Sequence, residues 1–91
     1  MKLSENAQQH RFELSLGDNL FAAIYYQIDD GRLALIHTEV PAQLSGQGIG
    51  SQLAAGVLEL LRATGRKAIL KCPFLARFLA NHPEYADVVV G

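Results

Sequence analysis

The sequence predicts an α/β sandwich: a mixed sheet with helices packed against it. Three observations carry this expectation. Residues 10–40 read as successive strands joined by turn residues, residues 49–64 repeat apolar side chains at helical spacing, and a short strand pattern at 67–71 follows that helix. A strand, helix, strand order makes the two strands parallel, through a right-handed crossover.

The first strand runs from His10 to Leu16. Phe12, Leu14 and Leu16 alternate with Arg11, Glu13 and Ser15, the pattern of a half-buried strand. Gly17-Asp18-Asn19 supplies a turn. Leu20–Ile28 is apolar on both faces and rich in aromatic and β-branched residues, and Asp29-Asp30-Gly31 closes a hairpin onto Arg32–Val40. Strict alternation gives that last strand two faces: Leu33, Leu35, His37 and Glu39 on one, Ala34, Ile36, Thr38 and Val40 on the other. Pro41 ends its ladder. The three strands form an antiparallel meander.

Ile49, Leu53, Val57 and Leu60, flanked by Ala54, Leu58 and Leu61, form a broad apolar helical face for the sheet, with Gln52, Glu59 and Arg62 outside. Gly65 stops that helix. Lys67–Lys71 is too short for a helix and reads as the parallel strand. Pro73 is placed at the first position of a second helix over 73–81. Asn81-His82-Pro83 breaks it, and Asp87–Val90 is expected to add a last short strand. Met1–Gln9 is polar and expected to fray. Residues 1–9 are therefore assigned to a flexible N-terminus and 10–91 to a single domain.

A chain of 91 residues supports one small domain, and an apolar content of 49% favours a packed core over disorder. A formal net charge of −1, without a basic stripe, argues against nucleic acid as the main partner. Arg62, Arg66 and Lys67 form the one modest basic cluster, best read as a solvated helix end. The single cysteine excludes an intrachain disulfide and fits a reducing compartment. No apolar run approaches a membrane span or a signal-peptide core, so the cytoplasm is the expected location and no membrane partner is expected.

The most informative stretch is Pro41-Ala42-Gln43-Leu44-Ser45-Gly46-Gln47-Gly48-Ile49-Gly50-Ser51. Alternating glycines at a helix start let several unpaired N–H groups converge on one point, where the helix dipole adds positive charge. The product is an anion site, most naturally for phosphate, with a ligand-free tight turn as the alternative. The Walker loop is excluded because no Gly-Lys pair occurs, and the dinucleotide fingerprint because its third glycine would fall on Ser51.

Gly46-Gln47-Gly48-Ile49-Gly50, after Val40-Pro41 and before Leu53, resembles the coenzyme A loop of the GNAT superfamily of N-acyltransferases, which reads Arg/Gln-x-x-Gly-x-Gly/Ala. Gly48 and Gly50 take the motif glycines, while Ser45 takes the Arg/Gln position. Cys72-Pro73-Phe74, His82-Pro83-Glu84-Tyr85 and His37-Thr38-Glu39-Val40-Pro41 resemble the small single-domain GNAT-like proteins. The resemblance covers most of residues 10–90. It implies a minimal GNAT-like fold, with an antiparallel three-strand meander, one parallel strand and two helices.

The resemblance further implies acetyl-CoA as cofactor and an unidentified amine as acceptor. Gly46, Gln47, Gly48, Gly50 and Ser51 would hold the pyrophosphate, and Val40 the pantetheine arm, between two splayed strands. No metal site is expected. Attack of a neutral amine on a thioester needs a proton acceptor and an oxyanion donor. Glu39 or His37 can serve as base, or form a polar pair on an exposed face. Cys72, before a helix N-terminus that favours thiolate, is a nucleophile or a small buried residue. Tyr85 is an acid closing over the cleft with His82, or a packing residue beside a helix cap. The leading reading is an N-acetyltransferase; the alternative is a non-catalytic coenzyme A-binding or protein-interaction module. Monomer and homodimer both stay open.

Overall fold

A computed structural model describes residues 2–90 of the chain. Its five strands lie side by side in chain order: β1 (Lys2–Asn6), β2 (Arg11–Gly17), β3 (Leu20–Asp29), β4 (Arg32–Glu39) and β5 (Ala68–Leu70). The first four are antiparallel neighbours, and β5 runs parallel to β4. Helix α1 (Ile49–Ala63) connects β4 to β5, and α2 (Pro73–Asn81) follows β5. The meander, the parallel strand and both helices stand where the pattern of apolar residues puts them.

One hydrophobic layer joins the sheet to its helices. Phe12 and Leu14 of β2, Ala22, Ile24 and Tyr26 of β3, and Leu33 and Leu35 of β4 share a core with Ile49, Leu53, Val57, Leu58 and Leu61 of α1 and Leu75 and Phe78 of α2. Leu60 is half-buried and Leu61 fully buried, so the inward stripe lies slightly to one side of the expected line. Local chemistry fixes the ends of these elements. Asp30 and Gly31, both at positive φ (52° and 77°), make the two-residue hairpin turn whose twist suits adjoining strands. Gly65 (φ 69°) ends α1: its N–H donates to Arg62 O at 3.2 Å and that of Arg66 to Leu61 O at 2.9 Å, which satisfies two orphan carbonyls.

The N-terminus departs from expectation. Lys2–Asn6 does not fray; it pairs along its whole length with β2, from Lys2 opposite Ser15 to Asn6 opposite Arg11. With one large apolar residue, Leu3, its sequence carries no alternation to detect. Side-chain contacts to distant residues hold it instead. Tyr26 Oη donates to Glu5 at 2.9 Å, Arg66 Nη1 donates to the same carboxylate at 3.0 Å, and Asn6 Nδ2 donates to Glu13 at 3.0 Å. The meander therefore has four strands rather than three. Arg62 and Lys67 tie down the other terminus, with Arg62 Nη2 2.6 Å from Asp87 and Lys67 Nζ donating to Asp87 O at 2.6 Å. The basic cluster is thus occupied by structure.

The C-terminal expectation is met only in part. Pro83–Val88 forms a 3-10 helix, and the last strand reduces to a single bridge from Val89 to Ala68, with Val90 N–H donating to Ala68 O at 2.8 Å.

The most consequential departure is inside β4. Tyr25 pairs with His37, but Tyr26 pairs with Leu35, so Ile36 is an extra residue, a β-bulge. A bulge shifts the alternation by one. Leu33 and Leu35 face the helices, and beyond the bulge Thr38, opposite the buried Ile24, takes that face. His37 and Glu39 move to the open side. The single face expected for Leu33, Leu35, His37 and Glu39 is accordingly divided in two.

Candidate active site

The β4–β5 ladder stops at the bulge. Leu33, Ala34 and Leu35 pair with Ala68, Ile69 and Leu70, and the N–H groups of Lys71 and Cys72 both converge on Leu35 O, at 2.9 and 3.2 Å. Past that point β5 turns into α2, while β4 continues to Glu39 with a partner on its β3 side only. The strands separate, and the backbone of residues 36–39 has an edge free of any strand.

The chain leaves β4 through Pro41 into a 3-10 turn, Ala42–Leu44, which the sequence pattern did not reveal. The glycine loop follows. Gly46 (φ 80°) and Gly48 (φ 76°) both occupy the left-handed region that side chains with a Cβ rarely adopt. Gly48 is the N-cap of α1; no side chain caps the helix, and its first turn has no acidic residue. The opening N–H groups of α1 are thus left for a ligand or for water. Gly50 serves a different need, because a Cβ there would come 2.9 Å from Cζ of Phe74. With any other residue there, the Phe74 ring has to shift away from the first turn of α1.

A cavity of about 310 Å³ opens at this place, lined by Val40, Leu44, Ser45, Gly46, Gly48, Ile49, Gly50, Ser51 and Phe74. Five of the residues expected to hold a cofactor (Val40, Gly46, Gly48, Gly50 and Ser51) are on its wall, and Gln47 is exposed beside it. No wall residue is charged, so any anion held here is held by backbone dipoles and by the hydroxyls of Ser45 and Ser51. The residues fit a coenzyme A pyrophosphate: two left-handed glycines and an uncapped helix start.

Cys72 is the N-cap of α2, with Pro73 at the first helical position. It is buried (7% exposed), and its Sγ lies 3.6 Å from Oγ1 of Thr38. Burial pushes the thiol pKa up. The Thr38 hydroxyl and the N–H groups of Leu75 and Phe74 stabilise the thiolate by more, and the net shift is downward. Nothing local in the sequence marks Thr38, whose contact with Cys72 spans 34 positions. Phe74 ends the Cys72-Pro73-Phe74 motif, and nothing in its local sequence assigns it a role.

His37 and Glu39 do form a pair, with Nε2 to Oε2 at 3.3 Å, and Tyr25 stacks on the His37 ring at 5.8 Å. Because of the bulge they occupy the sheet face opposite Thr38 and Cys72. Tyr85 lies in the 3-10 turn after α2, 5.9 Å from the Phe78 ring and beneath the Arg62 guanidinium at 5.3 Å. It lines neither cavity described here. His82 caps the end of α2, its Nδ1 3.0 Å from Phe78 O.

Comparison with known proteins agrees with this geometry. Residues 11–88 match the family described as GCN5-related N-acetyl-transferase, and the chain belongs to that family. Among solved structures it is similar to the solution NMR structure of a Staphylococcus aureus protein assigned as a GCN5-like N-acetyltransferase. The two share 30% identity with a TM-score of 0.72, over 99% of this chain and 88% of the other. A search of curated proteins gives no significant match. None of the helices is long and apolar enough to cross a membrane among the described residues.

Proposed function

We propose that this chain is an acetyl-CoA-dependent N-acetyltransferase that acts on an amine. The observation that carries the reading is the opening of the sheet at Ile36, with the glycine-lined cavity at the end of the freed strand. In this reading the amides of Gly46–Ser51 hold the pyrophosphate, with Gln47 at the rim. The backbone at Val40 orients the pantetheine arm. Acetyl-CoA supplies an activated acetyl thioester.

The chain's own groups divide the remaining work between the two faces of β4. On the helix side, the Cys72 thiolate, held by Thr38, takes the acetyl group by attacking the thioester carbonyl, and the coenzyme A thiolate departs. On the open side, Glu39 accepts the proton that the acceptor amine must lose, with His37 next to it. The acetyl group then passes to the amine, and Cys72 returns as thiolate. Tyr85 contributes packing rather than acid catalysis.

A second reading, a coenzyme A-binding module without turnover, is favoured by one observation: the bulge puts Glu39 and His37 on the face away from Cys72. Mass spectrometry of the protein with acetyl-CoA and an amine pool separates the two. An N-acetyltransferase acetylates amines and leaves a transient acetyl group on Cys72; Cys72→Ser loses transfer and keeps affinity. Binding without any acetylated amine establishes the module. An active serine variant removes Cys72 from the chemistry and leaves direct attack by the amine.

A further inference from the structure

A second cavity, of about 190 Å³, adjoins the first and shares Ser51 and Phe74 with it. Its other walls are Arg77, Phe78, Asn81 and His82. Phe74, Arg77, Phe78 and Asn81 stand at positions i, i+3, i+4 and i+7, so one face of α2 supplies most of the site. Two aromatic rings line it together with a guanidinium, an amide, a hydroxyl and an imidazole. His82 is held against Phe78, stacked at 4.2 Å with Nδ1 bound to the Phe78 carbonyl.

Of the five arginines, Arg32 and Arg77 are without an ion pair among the described residues, and Arg77 is the one of the two that lines a cavity. Arg11 pairs with Glu13, Arg62 with Asp87 and Glu59, and Arg66 with Glu5. Arg77 makes no ion pair or side-chain hydrogen bond among the described residues, and α2 carries no acidic side chain to engage it. Of the residues lining the two cavities it is the one permanent cation. An unpaired guanidinium on a cavity wall matches a doubly charged phosphate monoester better than the diester-like charge of a pyrophosphate, which neutral amides suffice to hold.

Coenzyme A carries such a monoester on its ribose, beyond the pyrophosphate and at the opposite end from the thioester. We infer that the second cavity receives the 3′-phosphoadenosine end of the ligand, with Arg77 reading the 3′-phosphate. Asn81 and Ser51 supply neutral donors beside it, and Phe74 and Phe78 give the base an apolar wall. Arg77 is then a specificity residue that selects coenzyme A over its 3′-dephospho form, the biosynthetically simpler thiol with the same reactive end. The inference rests on the acetyl-CoA reading above and adds to it the identity of the cation that selects the ligand.

Calorimetric titration of the whole protein with coenzyme A and with 3′-dephospho-coenzyme A, for wild type and Arg77→Gln, tests it. A charge-assisted contact at a partly exposed site corresponds to about tenfold in affinity, the lower end of its range. Wild type should therefore bind coenzyme A about tenfold more tightly than the dephospho form. In Arg77→Gln the two ligands should bind alike, at the wild-type affinity for the dephospho form. Arg77 is exposed and unpaired, so an unchanged melting temperature is expected and shows that the variant is folded. Equal wild-type affinities overturn the inference and leave the acetyl-CoA reading standing. So does an Arg77→Gln loss of the same size for both ligands, which assigns the guanidinium to the pyrophosphate. Binding of neither ligand to wild type contradicts the acetyl-CoA reading itself.

Discussion

The two halves of β4 are separated by one residue and do opposite work. At Leu33–Leu35 the strand is paired on both sides, to β3 and to β5, and Leu35 is fully buried beneath the helices. At His37–Glu39 it is paired on one side, and His37 and Glu39 are exposed on the open face. The element between them is one inserted residue, Ile36. A single bulge ends a parallel ladder, turns the following side chains over, and frees a strip of backbone beside a glycine loop. The lesson is that the candidate site is made where the sheet stops being continuous, while the stability of the same strand comes from where it is continuous.

That contrast can be broken from either end. Leu35→Ala should destabilise the domain by about 2–5 kcal/mol, since it removes a fully buried side chain and leaves a cavity. Glu39→Gln, at the exposed end, should move stability by no more than about 0.5 kcal/mol and act on transfer alone. Chemical denaturation of the two variants measures both. A comparable loss in the two would show that the open end is structural as well.

The next largest effect concerns Tyr26 of β3, whose hydroxyl reaches Glu5 of β1. Burial and the Glu5 carboxylate raise the Tyr26 hydroxyl pKa to about 12, from the ordinary 10.0. The folded state thus keeps the proton that the unfolded chain releases. This contribution is whole below pH 10 and is lost as pH rises from 10 towards 12. The shift corresponds to about 2–3 kcal/mol. Unfolding curves in that pH window should fall more steeply for wild type than for Tyr26→Phe, and parallel curves would contradict the assignment.

Gly48→Val places a β-branched residue at φ 76°, with a cost of about 1–3 kcal/mol in stability. Its larger consequence is for acetyl-CoA, whose binding should be lost even at temperatures where the variant is folded. Thr38→Val tests the smallest effect. Without the hydroxyl, the Cys72 thiol pKa should rise, and alkylation by iodoacetamide near neutral pH should slow by about 2–10-fold, the worth of one hydrogen bond. An unchanged rate would mean that the N–H groups of α2 set the thiol's acidity alone.

Most of this architecture is legible in the residues. Alternation gives β2 and most of β4, a run of aromatic and β-branched residues gives β3, the apolar stripe gives α1, and Pro73 marks the start of α2, because each signal is local. The glycine loop is legible for the same reason. What escapes is decided at long range. Ile36 is invisible because Ala34, Ile36, Thr38 and Val40 continue an unbroken alternation; only the pairing of Tyr25 and Tyr26 reveals the extra residue. β1 escapes because its partners are Glu13, Tyr26 and Arg66 rather than its own periodicity. The role of Thr38 escapes with the bulge, which alone turns it towards Cys72.

The central claim, that the opened end of β4 and the glycine loop bind acetyl-CoA through backbone groups, can be read residue by residue. An amide-resolved NMR titration of the ¹⁵N-labelled protein with acetyl-CoA should shift Gly46–Ser51 and residues 36–40 together, leaving Leu33–Leu35 and β1 in place. Saturation without shifts in the glycine loop, or shifts centred on Phe21 and Tyr25 of the open sheet face, would contradict it.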